Sequence, residues 1–254
     1  MPAFSGFLVF GVLGLAWFVT SATGFVSPFL LPGPFTVAQA GWQLIQDGSL
    51  AKHAAISLQR VGLGYGLSVI LALPLALLFG LLPRLRSFCE PALEFLRQIP
   101  PLALLPLLIL WLGIGEVQKV GVIVLSCFFP IFLGALGGIA QADPKLIEVG
   151  RICGLSRREI LTRIVLPASL PALVVGLRIA LGYSWRALVG AELIASSAGL
   201  GYLIIDAQNM ARTDIVLVGV LVIGVLGLVA DALARAALRR SAPWLRSQLE
   251  LGRV

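Results

Sequence analysis

The chain has 254 residues, 59% of them hydrophobic and only 12% charged, with a mean hydropathy of +1.00. Soluble domains carry about 25% charged residues, so a soluble fold could not cover itself with so little polar surface. The same figures exclude disorder, a disulfide framework and a collagen-like chain.

An all-α integral membrane protein is expected, with about six transmembrane helices of about 20 residues each. The first charged side chain is Asp47. Residues 4–26 read as the first helix; the rival reading, a cleaved signal peptide, lacks a basic n-region and an A-x-A site. Pro28, Pro32, Gly33 and Pro34 then break the chain, and residues 35–47 read as a short amphipathic surface helix. Residues 61–83 and 120–142 are uncharged runs of spanning length. Between them, residues 98–115 are apolar but interrupted by Pro100, Pro101 and Pro106, which predicts a kinked or broken span. Residues 168–194 form an apolar run carrying Arg178, Arg186 and Glu192, and residues 215–230 close the set, with Asp231 at the end.

Two G-x-x-x-G pairs, Gly62 with Gly66 and Gly134 with Gly138, are expected at helix contacts, where small residues let backbones approach. The Gly62, Gly64, Gly66 run has no flanking strand and is not read as a nucleotide loop. Cys89, Cys127 and Cys153 form no C-x-x-C, and His53 is the single histidine, in a predicted outer segment. The cysteines are read as packing residues, with no metal site.

The net charge of +7 would suggest nucleic acid in a soluble protein. Here position explains it, and no nucleic-acid partner is expected. Thirteen of the nineteen basic residues fall in loops near residues 84, 150 and 240, against Lys52, Lys119 and Arg212 in the alternate turns. That bias places those loops and both termini in the cytoplasm.

Residues 143–167 are the most structured polar segment. Asp143-Pro144 is an N-cap with proline at the first helical position, and Gly154 supplies a stop after Cys153. Ser156 with Glu159 makes a capping box opening a second helix that Pro167 should limit. An ordinary charged loop that only fixes topology is the plainer alternative; the paired caps favour a folded element with a docking partner.

Glu148, Gly154, Ile164, Leu166 and Pro167 match the "EAA" signature, E-A-A-x3-G-x9-I-x-L-P, with Val149 and Gly150 in place of the two alanines. The chain thereby resembles the permeases of ABC importers. Further similarity to the aliphatic sulfonate, taurine and nitrate branch is carried by Arg97-Gln98-Ile99-Pro100, Trp111-Leu112-Gly113-Ile114-Gly115-Glu116 with Lys119, Gly176-Leu177-Arg178, Trp185, Ala191-Glu192, Gly199-Leu200-Gly201 and Thr213-Asp214. The resemblance implies a type I ABC importer permease (MetI-like) fold: one transmembrane domain, 1–254, with a first helix and outer segment (1–53), a permease core (54–240) and a cytoplasmic coupling element (143–167). It also implies a bacterial inner membrane location, a homodimer with a second permease copy, two ABC ATPase subunits that bind ATP and Mg, and a periplasmic or lipid-anchored substrate-binding protein. Glu148, Gly154, Leu155, Ser156, Ile164, Leu166 and Pro167 would then couple to the ATPase. The chain has no G-x-x-x-x-G-K-[ST], so ATP hydrolysis is expected on a partner rather than on this chain, which is read as having no catalytic residues. A sulfonate or taurine is the expected cargo, with nitrate, bicarbonate or an uncharged small molecule as alternatives.

Ionisable residues at bilayer depth are costly and mark partners or pathways. Arg178 either snorkels toward the cytoplasm or lines the path. Arg186, beside Trp185, either forks onto an oxyanion or is neutralised by Glu192 or another helix. Arg178, Trp185, Arg186 and Glu192 are thus the candidate pathway residues, and Arg60 reads as an interfacial anchor. No filter or charged ring suggests a channel, and Ser126, Ser184 and His53 make no convincing catalytic set. An ATP-independent secondary transporter is the remaining alternative.

Overall fold

The computed structural model describes residues 2–241, which among themselves form eleven α-helices, a 3-10 turn and a π turn, with no strand. Among the described residues, four helices are long and apolar enough to cross a membrane, and a bent helix pair makes a fifth when counted as one broken span. Helix α1 (Pro2–Ala22) occupies the place of the expected first span. The chain divides into two compact units, residues 2–58 with 192–225 and residues 59–191 with 226–241.

In the first unit, the Pro28–Pro34 break separates α1 from α2 (Pro34–Gln46), which starts on Pro34 and buries Val37, Ala40 and Leu44. That spacing is one helical face. Trp17 donates its indole N–H to the Pro32 carbonyl at 3.0 Å, tying the end of α1 to the turn. Helix α3 (Ser49–Leu81) begins twelve residues before the expected span. Lys52 and His53 therefore sit on a helix, where an outer turn was expected. The unit is completed by α10 (Leu200–Asn209), the last turn of α9 (Leu166–Ala195) and the first half of α11 (Thr213–Ser241).

The second unit is built on α3, α6 (Glu116–Ala140) and α9. A Cβ on Gly64 would lie 2.6 Å from Ile123, and one on Gly80 would lie 2.8 Å from Ile139. The two contacts rise together in number, so α3 and α6 run parallel. Helices α6 and α9 run antiparallel: Gly134 abuts Gly176, and Gly138 abuts Ser169. Glycine is required at this second seam, since a Cβ on Gly138 would come within 2.5 Å of the Ser169 carbonyl. The first expected pair behaves differently. Gly62 and Gly66 have nothing within 4 Å of a Cβ, and the residue that packs is Gly64 between them.

Because α3 and α6 are parallel, the segment joining them must carry the chain back across the unit. It does so through α4 (Pro83–Gln98), a 3-10 turn (Pro101–Leu104) and α5 (Leu105–Leu112), bent by 86° at Ile99-Pro100. The expected break is present, but the returning span starts at residue 83. The Arg84–Arg97 segment is a helix, not the loop expected from its charges. Amphipathic α4 packs Leu85, Cys89 and Leu93 toward the core.

Candidate functional site

Residues 143–167 lie at the end of α6 and fold as a small body of their own. Asp143 accepts the Lys145 N–H at 2.8 Å and caps α7 (Pro144–Ile152). Gly154 takes φ +77°, a left-handed turn that suits glycine. Ser156 and Glu159 then close a reciprocal capping box, the Ser156 N–H donating to Glu159 at 3.0 Å and the Glu159 N–H to Ser156 Oγ at 3.3 Å. Both caps read from the sequence are present.

The second helix does not stop at Pro167. Helix α8 (Arg157–Ile160) passes through a π turn (Leu161–Val165) directly into α9. Pro167 therefore lies inside a continuous helix, and the widened turn before it accommodates the missing N–H.

Ala142, Ile160 and Val165 form a local core that takes in Ile147, Leu155 and Ile164. Gly150 faces it so closely that a Cβ would stand 3.0 Å from Ile164. Gly150 thus packs more closely on Ile164 than an alanine would, but the signature pairs alanine with the same isoleucine, so this contact does not explain the departure from it. The other departure, Val149, is on the outside. With Leu146 and Ile152 it forms an exposed apolar stripe at i, i+3, i+6, Ile152 being 80% exposed. Glu148, Gly154 and Ser156 are exposed as well, Leu155, Ile164 and Leu166 are half-buried, and Pro167 is exposed. The stripe was missed in the sequence, although its three-residue spacing is legible there.

The pathway candidates separate. Arg178 lies 3.5 Å from Asp231 of α11, whose carboxylate also bonds Arg235 one turn on. Trp185 is packed in the core of the second unit, with no hydrogen-bond partner for its indole N–H among the described residues. Arg186 is exposed, its guanidinium 5.6 Å from the Tyr183 ring centroid. Glu192, only 1% exposed, belongs to the first unit. It accepts Ser57 Oγ at 2.8 and 3.0 Å and the Gly201 N–H at 2.8 Å.

Arg60 is not an interfacial anchor. It is buried in the second unit and forks onto Glu116, Nε to Oε2 at 2.5 Å and Nη2 to Oε1 at 2.6 Å. Lys119 reaches the same carboxylate at 3.1 Å. Helix α3 starts twelve residues before the expected span, so Arg60 lies within the helix and is buried against the start of α6.

Residues 64–242 match the family described as binding-protein-dependent transport system inner membrane component. The chain belongs to this family. The taurine transport system permease protein of Escherichia coli (strain K12) is 37% identical over 238 residues, covering 92% of this chain and 86% of that protein. The nitrate import permease protein of Leptolyngbya laminosa is 31% identical over 219 residues, covering 83% of this chain and 78% of that protein. Among solved structures, the one titled "Crystal structure of an amino acid ABC transporter with histidines" has a TM-score of 0.62 at 16% identity, over 74% of this chain and 92% of that one. The chain is thus a multi-pass, membrane-embedded transport permease with the ABC importer permease fold, as its sequence resemblance implied.

Proposed function

We propose that this permease works as two copies around a shared pathway, with two ATPase subunits beneath and a periplasmic or lipid-anchored binding protein above. ATP and Mg belong to the ATPase subunits. The whole chain serves as one transmembrane domain, and its coupling element, 143–167, lies in the cytoplasm with both termini.

The observation that carries this reading is the exposed apolar stripe Leu146, Val149, Ile152 on a doubly capped helix pair. A stripe of this kind, rimmed by Glu148 and Arg151, suits a groove in a soluble partner. In the proposed roles, Glu148 and Ser156 meet the ATPase. Gly154 and Leu155 set the elbow, and Ile164, Leu166 and Pro167 transmit its movement into α9.

The cargo we infer is a small oxyanion, an aliphatic sulfonate or taurine. Support comes from the spread of the resemblance and from the higher identity to the taurine permease than to the nitrate one. Arg186, exposed on α9, is the proposed contact for such an anion. Nitrate import is the second reading, favoured by the nitrate relative.

Glu148→Lys and Gly154→Asp test the coupling role. Each is expected to leave the permease folded in the membrane while abolishing co-purification of the ATPase and ATP-driven uptake. Unchanged co-purification and uptake in both variants would refute the docking assignment. Uptake of taurine and nitrate by the full assembly in vesicles decides between the two cargoes.

A further inference from the structure

The Arg60, Glu116, Lys119 cluster is built unevenly. The side chains of Arg60 and Lys119 are each 4% exposed, whereas that of Glu116, which bridges them, is 62% exposed. In an ordinary buried ion pair both partners are withdrawn from water. Here the two cations are withdrawn and the carboxylate that bridges them is on the exposed side. On the same turn of α6, Gln118 is fully buried, and neither its amide nitrogen nor its oxygen has a hydrogen-bond partner among the described residues.

We propose that Arg60 and Lys119 form an oxyanion-binding site that Glu116 occupies as a tethered substitute, and that the transported sulfonate displaces Glu116 from it. A carboxylate held through both oxygens by the Nε and Nη2 of one guanidinium presents the same pair of acceptors as two oxygens of a sulfonate. The exchange therefore keeps the fork on Arg60 and the third contact from Lys119. Glu116 leaves by rotating outward, on the side where its side chain is already exposed.

The position suits a receiving site. Glu116 is the first residue of α6, and the coupling element follows the last, about 36 Å away at 1.5 Å per residue. If the coupling element is cytoplasmic, the site lies at the outer end of the unit, where a delivered anion first meets the permease. The identity of the anion as the cargo rests on the function proposed above; the site itself does not.

The test uses the full-length permease with its ATPase in nanodiscs of zwitterionic lipid, with ethanesulfonate as probe and ethyl methyl sulfone as its uncharged counterpart. The readout is the saturable rise in melting temperature. Glu116→Gln is expected to respond to ethanesulfonate at about tenfold lower concentration than the wild type, since the competing charge is gone. Adding Lys119→Met to that variant is expected to abolish the response, and the sulfone is expected to shift none of them. If Glu116→Gln does not fold, Glu116→Asp, whose shorter stem loosens the bridge, is read the same way. Equal responses to sulfonate and sulfone would overturn the proposal, as would a response only after phosphatidylglycerol is added, which would assign the site to a lipid headgroup. Uptake assays separate the two readings. Wild-type sulfonate import with an unresponsive Glu116→Gln defeats the site alone, whereas no sulfonate import with a responsive Glu116→Gln defeats only the cargo.

Discussion

Ser57 and Glu192, 135 residues apart in the chain, meet through both oxygens of the carboxylate, at 2.8 and 3.0 Å. The contact organises the start of α10. The first N–H groups of a helix have no partner within it, and α10 has no side-chain cap of its own at Gly199. Its donors are taken up from elsewhere in the unit: the Gly199 N–H by His53 Nδ1 at 3.0 Å, the Leu200 N–H by Ser57 Oγ at 2.9 Å, and the Gly201 N–H by Glu192 at 2.8 Å. A buried carboxylate at the positive end of a helix is favourably placed.

Ser57→Ala is therefore expected to destabilise the permease by about 1–3 kcal/mol, because it leaves the Leu200 N–H buried without an acceptor. Gly199→Ala is expected to cost more. Its φ is +116°, and a Cβ there would overlap the Glu192 carboxylate. Thermal unfolding in detergent measures both. A Gly199→Ala variant that melts with the wild type would show that this cap does not hold α10.

The two G-x-x-x-G pairs make a sharper comparison, since they are alike in sequence and opposite in packing. Gly138→Ala is expected to destabilise the protein by about 1–3 kcal/mol, as overpacking of a tight contact does. The backbone of Ser169 faces it and cannot rotate away. Gly62→Ala should leave the stability of one protomer unchanged or slightly raised by the better helix propensity. Equal losses in the two variants would mean that Gly62 packs against something outside the protomer.

This contrast marks what could be read from sequence. Helix identity, the broken segment at Pro100-Pro101 and both caps of the coupling element depend on local signals, namely apolar length, proline and a side chain two or three residues from its partner. They were legible. Which glycine of Gly62, Gly64 and Gly66 meets a neighbour depends on the rotation of α3 against α6, and nothing local encodes that. Arg60 failed for a related reason. A run of uncharged residues marks the middle of a helix well and its start poorly, so nothing local shows that Arg60 lies within α3 and is buried against Glu116. The Ser57–Glu192 contact joins the start of α3 to the end of α9, a pairing that only the folded unit reveals.

The coupling element allows its two faces to be tested separately. Ile152→Asp places a charge on an exposed site and is expected to leave the melting temperature within about 1 °C, a surface-substitution effect, while eliminating ATPase co-purification. Gly150→Val acts from the other side. It drives a branched side chain toward Ile164 and should lower stability by about 1–3 kcal/mol. If Ile152→Asp still retained the ATPase, the stripe would not be the docking face.

Arg178 and Arg186 lie on one helix, eight residues apart, yet their surroundings predict different outcomes. Arg178 shares Asp231 with Arg235, so removing it leaves Asp231 one partner fewer in a half-buried setting. Arg178→Ala is expected to reduce transport mainly by lowering the amount of folded permease. Combining it with Asp231→Asn should recover part of that loss, with a coupling energy of about 0.5–3 kcal/mol in unfolding measurements, as for directly interacting residues. Arg186 rests beside the Tyr183 ring on an exposed face, a contact worth about 0.5–1 kcal/mol. Arg186→Ala should therefore fold and assemble normally while weakening uptake of the anion, with Arg186→Lys restoring charge but not the planar fork. Normal uptake by Arg186→Ala at normal abundance would remove Arg186 from the pathway.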